Sequence, residues 1–210
     1  MSRWSFVFVL LLAPLPVGAQ TLTEGACERL GSLTLPGTTI TTAAVVASGT
    51  FTPAGATPSA AAALSGLPPF CRVAATLTPS ADSVIKVEFW LPISTWNGKF
   101  LAVGNGSWGG AVSYAGLAVG VKRGYATAST DTGHVGNTAA EMLDHPEKLI
   151  DFAYRAVHET AATGKAVTRS LFGSSPRFSY FQGCSTGGRQ GLQSAQLFPE
   201  DFDEIGRAHV

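Results

Sequence analysis

Hydrophobic and polar positions alternate most regularly in the middle of the chain. From Val84 to Leu91, the residues Ile85, Val87, Phe89 and Leu91 fall on one face, and Lys86 and Glu88 fall on the other. That is the period of a half-buried strand. Val73–Thr78 reads as its neighbour, joined through a turn at Pro79, Ser80, Ala81 and Asp82. Trp96-Asn97-Gly98 marks a second turn into the apolar run Lys99–Val103, and Gly124–Ser129 reads as a further strand. The period then changes. Ile150, Ala153, Tyr154, Val157 and Ala161 recur at three- and four-residue spacing, one apolar helical face with Gly164 as its expected stop. A β-prone run at Arg177–Phe181 and a helix over Arg189–Leu197 close the pattern. Hairpin strands followed by alternating strand and helix predict an α/β domain, its sheet mainly parallel with an antiparallel start.

The N-terminal part is patterned differently. Arg3, the apolar stretch Phe6–Leu12 and the small residues Val17-Gly18-Ala19 read as a secretory signal, residues 1–19, cut after Ala19. Pro14 and Pro16 interrupt that stretch, which is shorter than the roughly 20 residues a membrane span needs. Between Thr38 and Ala63 charge is nearly absent and periodicity weak, a poor independent fold. Cys27 and Cys71 bracket it, and a bridge between them would tie the segment 20–72 to the domain, worth about 2–4 kcal/mol. Export would place the three cysteines, with Cys184 the third, in an oxidising compartment, where an odd count leaves one over. Their separations fit no zinc pattern.

Composition narrows the function classes. The chain has 210 residues, 45% hydrophobic and 13% charged, enough for one well-packed domain. Lys and Arg together number 14, as do Asp and Glu. A neutral balance argues against a protein that works by neutralising phosphates or anionic lipid, so neither nucleic acid nor a membrane is expected as partner.

The candidate chemistry sits at Gly183-Cys184-Ser185-Thr186-Gly187, a match to G-x-S-x-G. In a nucleophile elbow the Ser occupies a sharp strand-to-helix turn, and its neighbours two residues either side must be small. A β-prone run leads in, a helical segment leads out, and Gly188 would allow close helix–strand packing. The pattern therefore points to an α/β-hydrolase with Ser185 as nucleophile. The Thr186 amide, at the helix N-terminus, is one expected oxyanion donor. Gly104–Gly110, with four glycines in seven positions, stands where the loop carrying a second donor occurs in chain order. No Lys-Ser or Lys-Thr follows it, as a phosphate loop would require. A base and an orienting carboxylate should follow the Ser, but only Glu200, Asp201, Asp203, Glu204 and His209 do, all too close in sequence. His134, His145 and His158 precede it. His145 and His158 read as surface residues, and His134 with Asp131, at a strand end, either as residues that line the site or, the stronger reading, as residues that hold a loop.

These residues together resemble the tannase and feruloyl esterase family, which also includes the bacterial hydrolase of mono(2-hydroxyethyl) terephthalate. The resemblance runs from about Cys27 to Asp203. It is carried by Leu67-Pro68-Pro69-Phe70-Cys71-Arg72-Val73, by Trp96-Asn97-Gly98-Lys99-Phe100 leading to Gly104-Asn105-Gly106, by Ala126–His134, and above all by Tyr180–Gly191. A Cys immediately before the nucleophile is found in few other hydrolases. The resemblance implies secreted or periplasmic hydrolysis of esters of aromatic acids such as gallate or hydroxycinnamates, with no cofactor in the chemistry. It implies that Cys184 bonds a Cys beside the catalytic His, and that Cys27 pairs with Cys71. By gapless spacing from Trp96 the second oxyanion donor is Ser107, with Gly106 its neighbour; relatives often carry Gly at the Ser107 position. The lid domain with its calcium site, the catalytic Asp and the His-Cys pair would all lie downstream, so no metal ligand is expected in this stretch.

The same resemblance sets the expected extent of the domain. The α/β-hydrolase fold is expected over 73–203, truncated after the elbow helix. The family reads D-F-D-G-I where this chain reads Asp201-Phe202-Asp203-Glu204-Ile205. Glu204–Val210 back-translates to GAG ATC GGA AGA GCA CAC GTC, which resembles a common sequencing adapter, so residues 204–210 are expected to be read-through. The chain by itself is expected to be inactive. Two other readings stand beside the aromatic esterase: another α/β-hydrolase acting on acetylxylan or polyester, and a non-catalytic secreted binding module of the same fold. Acyl and alcohol specificity and oligomeric state have no signal in the sequence.

Overall fold

The structure, a computed structural model, describes residues 22–208 apart from Glu24, Thr50 and Gly55. The expected signal peptide and His209 lie outside the described residues. The order of elements is β1 (Thr38–Val46), α1 (Pro58–Ala63), β2 (Phe70–Leu77), β3 (Ile85–Pro92), β4 (Lys99–Val103), α2 (Tyr114–Lys122), β5 (Ala126–Thr130), α3 (Pro146–Ile150), α4 (Ala156–Phe172), β6 (Phe178–Cys184), α5 (Thr186–Leu197) and β7 (Glu204–Ala208). A short 3-10 turn, Glu28–Ser32, precedes β1.

The strands form one sheet in the order β1-β2-β3-β5-β4-β6-β7. β1, β2, β3 and β5 pair antiparallel, whereas β5, β4, β6 and β7 pair parallel. The antiparallel start is as expected, but it occupies half the pairings, so the sheet is mixed rather than mainly parallel. The difference comes from β1, which the weak pattern of 38–63 conceals. It is a β-branched, Thr-rich edge strand with no fully buried residue, so it carries no alternation to read.

Helices cover both faces of the sheet. On one side Val87, Phe89, Phe100, Ala102 and Ala128 pack with Ala156, Val157, Ala161 and Val167 of α4. On the other, Phe70 and Trp90 pack with Leu117, Ala118 and Val121 of α2 and with Leu64 and Leu67 after α1. The Cys27–Cys71 disulfide ties the turn before β1 to the start of β2, with Cα atoms 5.5 Å apart.

Two expectations about faces are corrected here. Gly164 does not stop the helix. α4 runs on to Phe172 and ends at Gly173, whose φ of 70° is the left-handed C-cap geometry. Gly164 instead lets the helix approach the sheet, since a Cβ there would stand 2.7 Å from Phe100 and 3.0 Å from Phe89. Glu88, expected on a solvent face, is buried. Its carboxylate pairs with Arg72 and accepts from Trp90 Nε1 and the Tyr114 hydroxyl, both at 2.9 Å. Charged groups enter a core only when paired and hydrogen-bonded in this way.

At the other edge, β7 pairs parallel with β6 through Tyr180↔Glu204, Phe181↔Ile205 and Gln182↔Gly206. Ile205 packs against the core. Glu204–Ala208, the stretch expected to be read-through, is thus a strand; a main-chain ladder of this kind does not depend on side-chain identity. Beside it, on the α2 face, Leu101, Val103, Val119, Tyr125 and Tyr180 line an open hollow of about 790 Å³.

Candidate active site

Ser185 stands between β6 and α5 with φ 57° and ψ −118°, and its side chain is exposed. Few residues with a Cβ adopt this backbone geometry, which costs on the order of 1–3 kcal/mol unless the surroundings enforce it. They do. A Cβ on Gly183 would lie 2.5 Å from the carbonyl carbon of Gly187, and one on Gly104 would lie 2.8 Å from the Gly187 Cα. Strand ends and helix start therefore pack backbone to backbone, and the turn has no room to relax. Gly188 is buried, but Gly191 is the residue whose missing Cβ lets α5 close on the sheet, 2.7 Å from Ile205 and 3.2 Å from Phe181. The strand leading into the turn reaches Cys184, and the helix begins at Thr186, three residues on either side beyond what the pattern predicts. Glycines hide helix propensity at Thr186-Gly187-Gly188, which tertiary packing overrides.

Thr186 is the first residue of α5, so its N–H has no partner within the helix. Its hydroxyl donates to the Ser107 carbonyl, which locks the Gly-rich loop onto the elbow. Ser107 has φ 50°, the left-handed region where glycine is easiest. Gly106, Ser107 and Trp108 are all exposed at the tip of the loop. The sequence reading thus brings Ser185, Thr186, Ser107 and Gly106 to one place. Cys184 precedes them, exposed at the end of β6.

What the sequence reading missed is how that loop is held. Asn105 is buried, and its Nδ2 lies 3.0 Å from the Gly109 and Ala111 carbonyls and 2.7 Å from that of Thr130. Gln190, buried on α5, accepts from the Asn105 N–H at 3.0 Å and donates to Asn105 Oδ1 at 3.1 Å. The pair joins the donor loop to the elbow helix from beneath. Both residues stand in the motifs that carry the resemblance, and buried amides at motif positions were the available signal.

The remaining ionisable residues play other parts. Asp131 accepts from the Lys86 N–H at 2.9 Å and the Gly133 N–H at 2.8 Å, which holds the loop after β5. Burial nevertheless pushes its carboxyl up to about 6, because desolvation outweighs the two amides. His134 is buried, with Nδ1 3.3 Å from the Thr132 hydroxyl, and burial lowers its pKa. His145 pairs with Asp82 at 3.0 Å, exposed. His158 is half-buried instead, bonded to Asp201 at 2.8 Å and stacked on Phe198. The partners of these three histidines are Thr132, Asp82 and Asp201 rather than Ser185. Among the described residues no group of three His, Cys, Asp or Glu side chains is placed to hold a metal ion. Nor is any described helix long and apolar enough to cross a membrane.

Comparison with known proteins places this arrangement. The family model described as tannase and feruloyl esterase matches residues 71–207. An uncharacterised esterase of Xanthomonas campestris pv. campestris is 40% identical over 98% of the chain, which covers 36% of that protein. A probable feruloyl esterase B-1 of Aspergillus fumigatus is 46% identical over 65% of the chain and 26% of its own length. The crystal structure of feruloyl esterase B from Aspergillus oryzae superposes with a TM-score of 0.79 at 38% identity, over 87% of the chain and 36% of that structure. The chain thus spans about a third or less of the length of the relatives it matches.

Proposed function

The chain belongs to the tannase and feruloyl esterase family and has its α/β-hydrolase fold, and on that premise we propose that it is the nucleophile-bearing part of a serine carboxylesterase for esters of aromatic acids. The observation that carries the reading is Ser185 itself, exposed in a strained strand–helix turn with glycine backbones packed on both sides. In the proposed reaction its hydroxyl oxygen attacks the ester carbonyl while a downstream His takes the hydroxyl proton and then passes it to the leaving alcohol. The Thr186 and Ser107 amides, with Gly106 beside them, receive the oxyanion, a stabilisation that falls only on the transition state. The alcohol then leaves and an acyl-enzyme remains, which water hydrolyses. The base and its orienting carboxylate come from the part of the family's length beyond these residues, and the chain alone is inactive. Cys184 bonds a cysteine next to that base, fixing it against the nucleophile.

No cofactor enters this chemistry, and the substrate is a small or plant-derived aromatic ester. The protein works outside the cytoplasm, secreted or periplasmic, a placement supported by the Cys27–Cys71 disulfide. Hydrolysis of methyl ferulate and methyl gallate by the product of the complete gene, and its loss in Ser185→Ala, is the experiment that tests the reading.

A further inference from the structure

Trp108 is a large apolar side chain left 41% exposed at the tip of the donor loop, directly after Ser107. Its surroundings do not let it move freely. Its N–H donates to Asn137 Oδ1 at 3.0 Å, and its ring lies 5.4 Å from that of Phe152, tilted by 32°. Phe152 is held in turn. His134 meets it edge-on at 5.6 Å, and the Arg189 guanidinium lies 4.8 Å from its centroid. Arg189 belongs to α5, three residues beyond Thr186, and it is half-buried. It donates to the Phe152 carbonyl at 3.1 Å and to the Ala153 carbonyl at 2.7 Å. Both carbonyls lie in a π-helical turn, Asp151–Arg155, whose wider winding leaves main-chain acceptors open.

These contacts form a closed circuit. It runs from the elbow helix through Arg189 and Phe152 to Trp108, then through Ser107 back to the elbow by the Thr186 hydroxyl bond. An exposed indole that leans on an aromatic ring, on a main chain anchored by a hydrogen bond, has fewer conformations to lose than a free side chain. A ligand ring stacking on it then meets a smaller ordering cost. Trp108 also stands one Cα step, about 3.8 Å, from the residue whose amide receives the ester oxygen.

Resting on the esterase reading above, we propose that Trp108 is a specificity-determining residue, the platform on which the aromatic ring of the acyl group stacks. Arg189 and Phe152 are positioning residues that hold this platform. The preference for aromatic over saturated acyl groups then resides partly in this chain.

The test is binding rather than turnover. The product of the complete gene, carrying Ser185→Ala so that the ester is not turned over, is titrated with methyl ferulate and with its saturated counterpart, methyl 3-cyclohexylpropanoate, while the indole N–H resonance of Trp108 is followed. That resonance is assigned by its disappearance in Trp108→Phe. Methyl ferulate should shift it saturably and the saturated ester should not. Trp108→Leu should weaken methyl ferulate binding, read on the Ser107 and Thr186 amides, by about tenfold, whereas Trp108→Phe should keep most of it. Equal responses to both esters, an unmoved indole while the Ser107 amide shifts, or no response to either ester would each overturn the proposal. Trp108-dependent binding by a protein that hydrolyses nothing even with Ser185 in place would remove the reaction and leave the platform. Hydrolysis with an aromatic preference unchanged in Trp108→Leu would do the reverse.

Discussion

Ser185 shows at the residue scale how a strained conformation is kept. Its φ of 57° persists because Gly183 and Gly104 let the strand ends lie against the first turn of α5. Gly183→Ala should therefore be severe. Its Cβ would meet main-chain atoms that cannot rotate away, and urea denaturation should show a loss of about 3 kcal/mol. Gly206→Ala, with 3.8 Å to the nearest atom, should change stability far less. Asp131 makes a different prediction. Its folded carboxyl titrates near 6, above the ordinary value of 3.8, so between those values the folded state binds the extra proton. Stability should then fall as pH rises from about 4 to 6, by up to about 3 kcal/mol, and Asp131→Asn should flatten that slope. Denaturation midpoints across that range check it. Of these residues, Ser185, Gly183 and Gly187 were legible because the elbow demands them at fixed spacing. The Asn105–Gln190 pair was not, since an amide contact across 85 positions leaves no local pattern.

At the scale of elements, α4 separates propensity from packing. A glycine within a helix reads as a stop, yet Gly164 is buried and the helix continues for two more turns to Phe172. Gly164→Ala should raise helix propensity by about 1 kcal/mol and still destabilise the fold, by about 1–3 kcal/mol, because the new methyl strikes Phe100 and Phe89. A more stable variant by thermal or urea unfolding would show that the helix can move away from the sheet. Strands β2 to β6 were legible from alternation and from the turns between them. β1 and α2 were not: β1 is an edge strand without a buried face, and α2 is so rich in Ala, Gly and Val that its residues suit several structures equally. The π-helical turn before α4 had no signature either. It is recognisable only through Arg189, which reaches it from another element.

The described residues form a mixed sheet clothed by helices, with Ser185, Thr186, Ser107 and Trp108 gathered at the ends of β4 and β6. The Cys27–Cys71 bridge ties the segment before β1 to the sheet, the kind of crosslink that persists in an oxidising compartment. The fold class was legible because the elbow and the strand–helix alternation agree, whereas acyl and alcohol preference left no pattern in the sequence. The most direct test of the account is the rate at which the product of the complete gene hydrolyses methyl ferulate and methyl gallate, with and without Ser185→Ala. The account predicts hydrolysis of at least one ester by the wild type and a loss of about 10⁴-fold or more in the variant. Hydrolysis that survives Ser185→Ala would contradict it, because the nucleophile would then have to lie elsewhere.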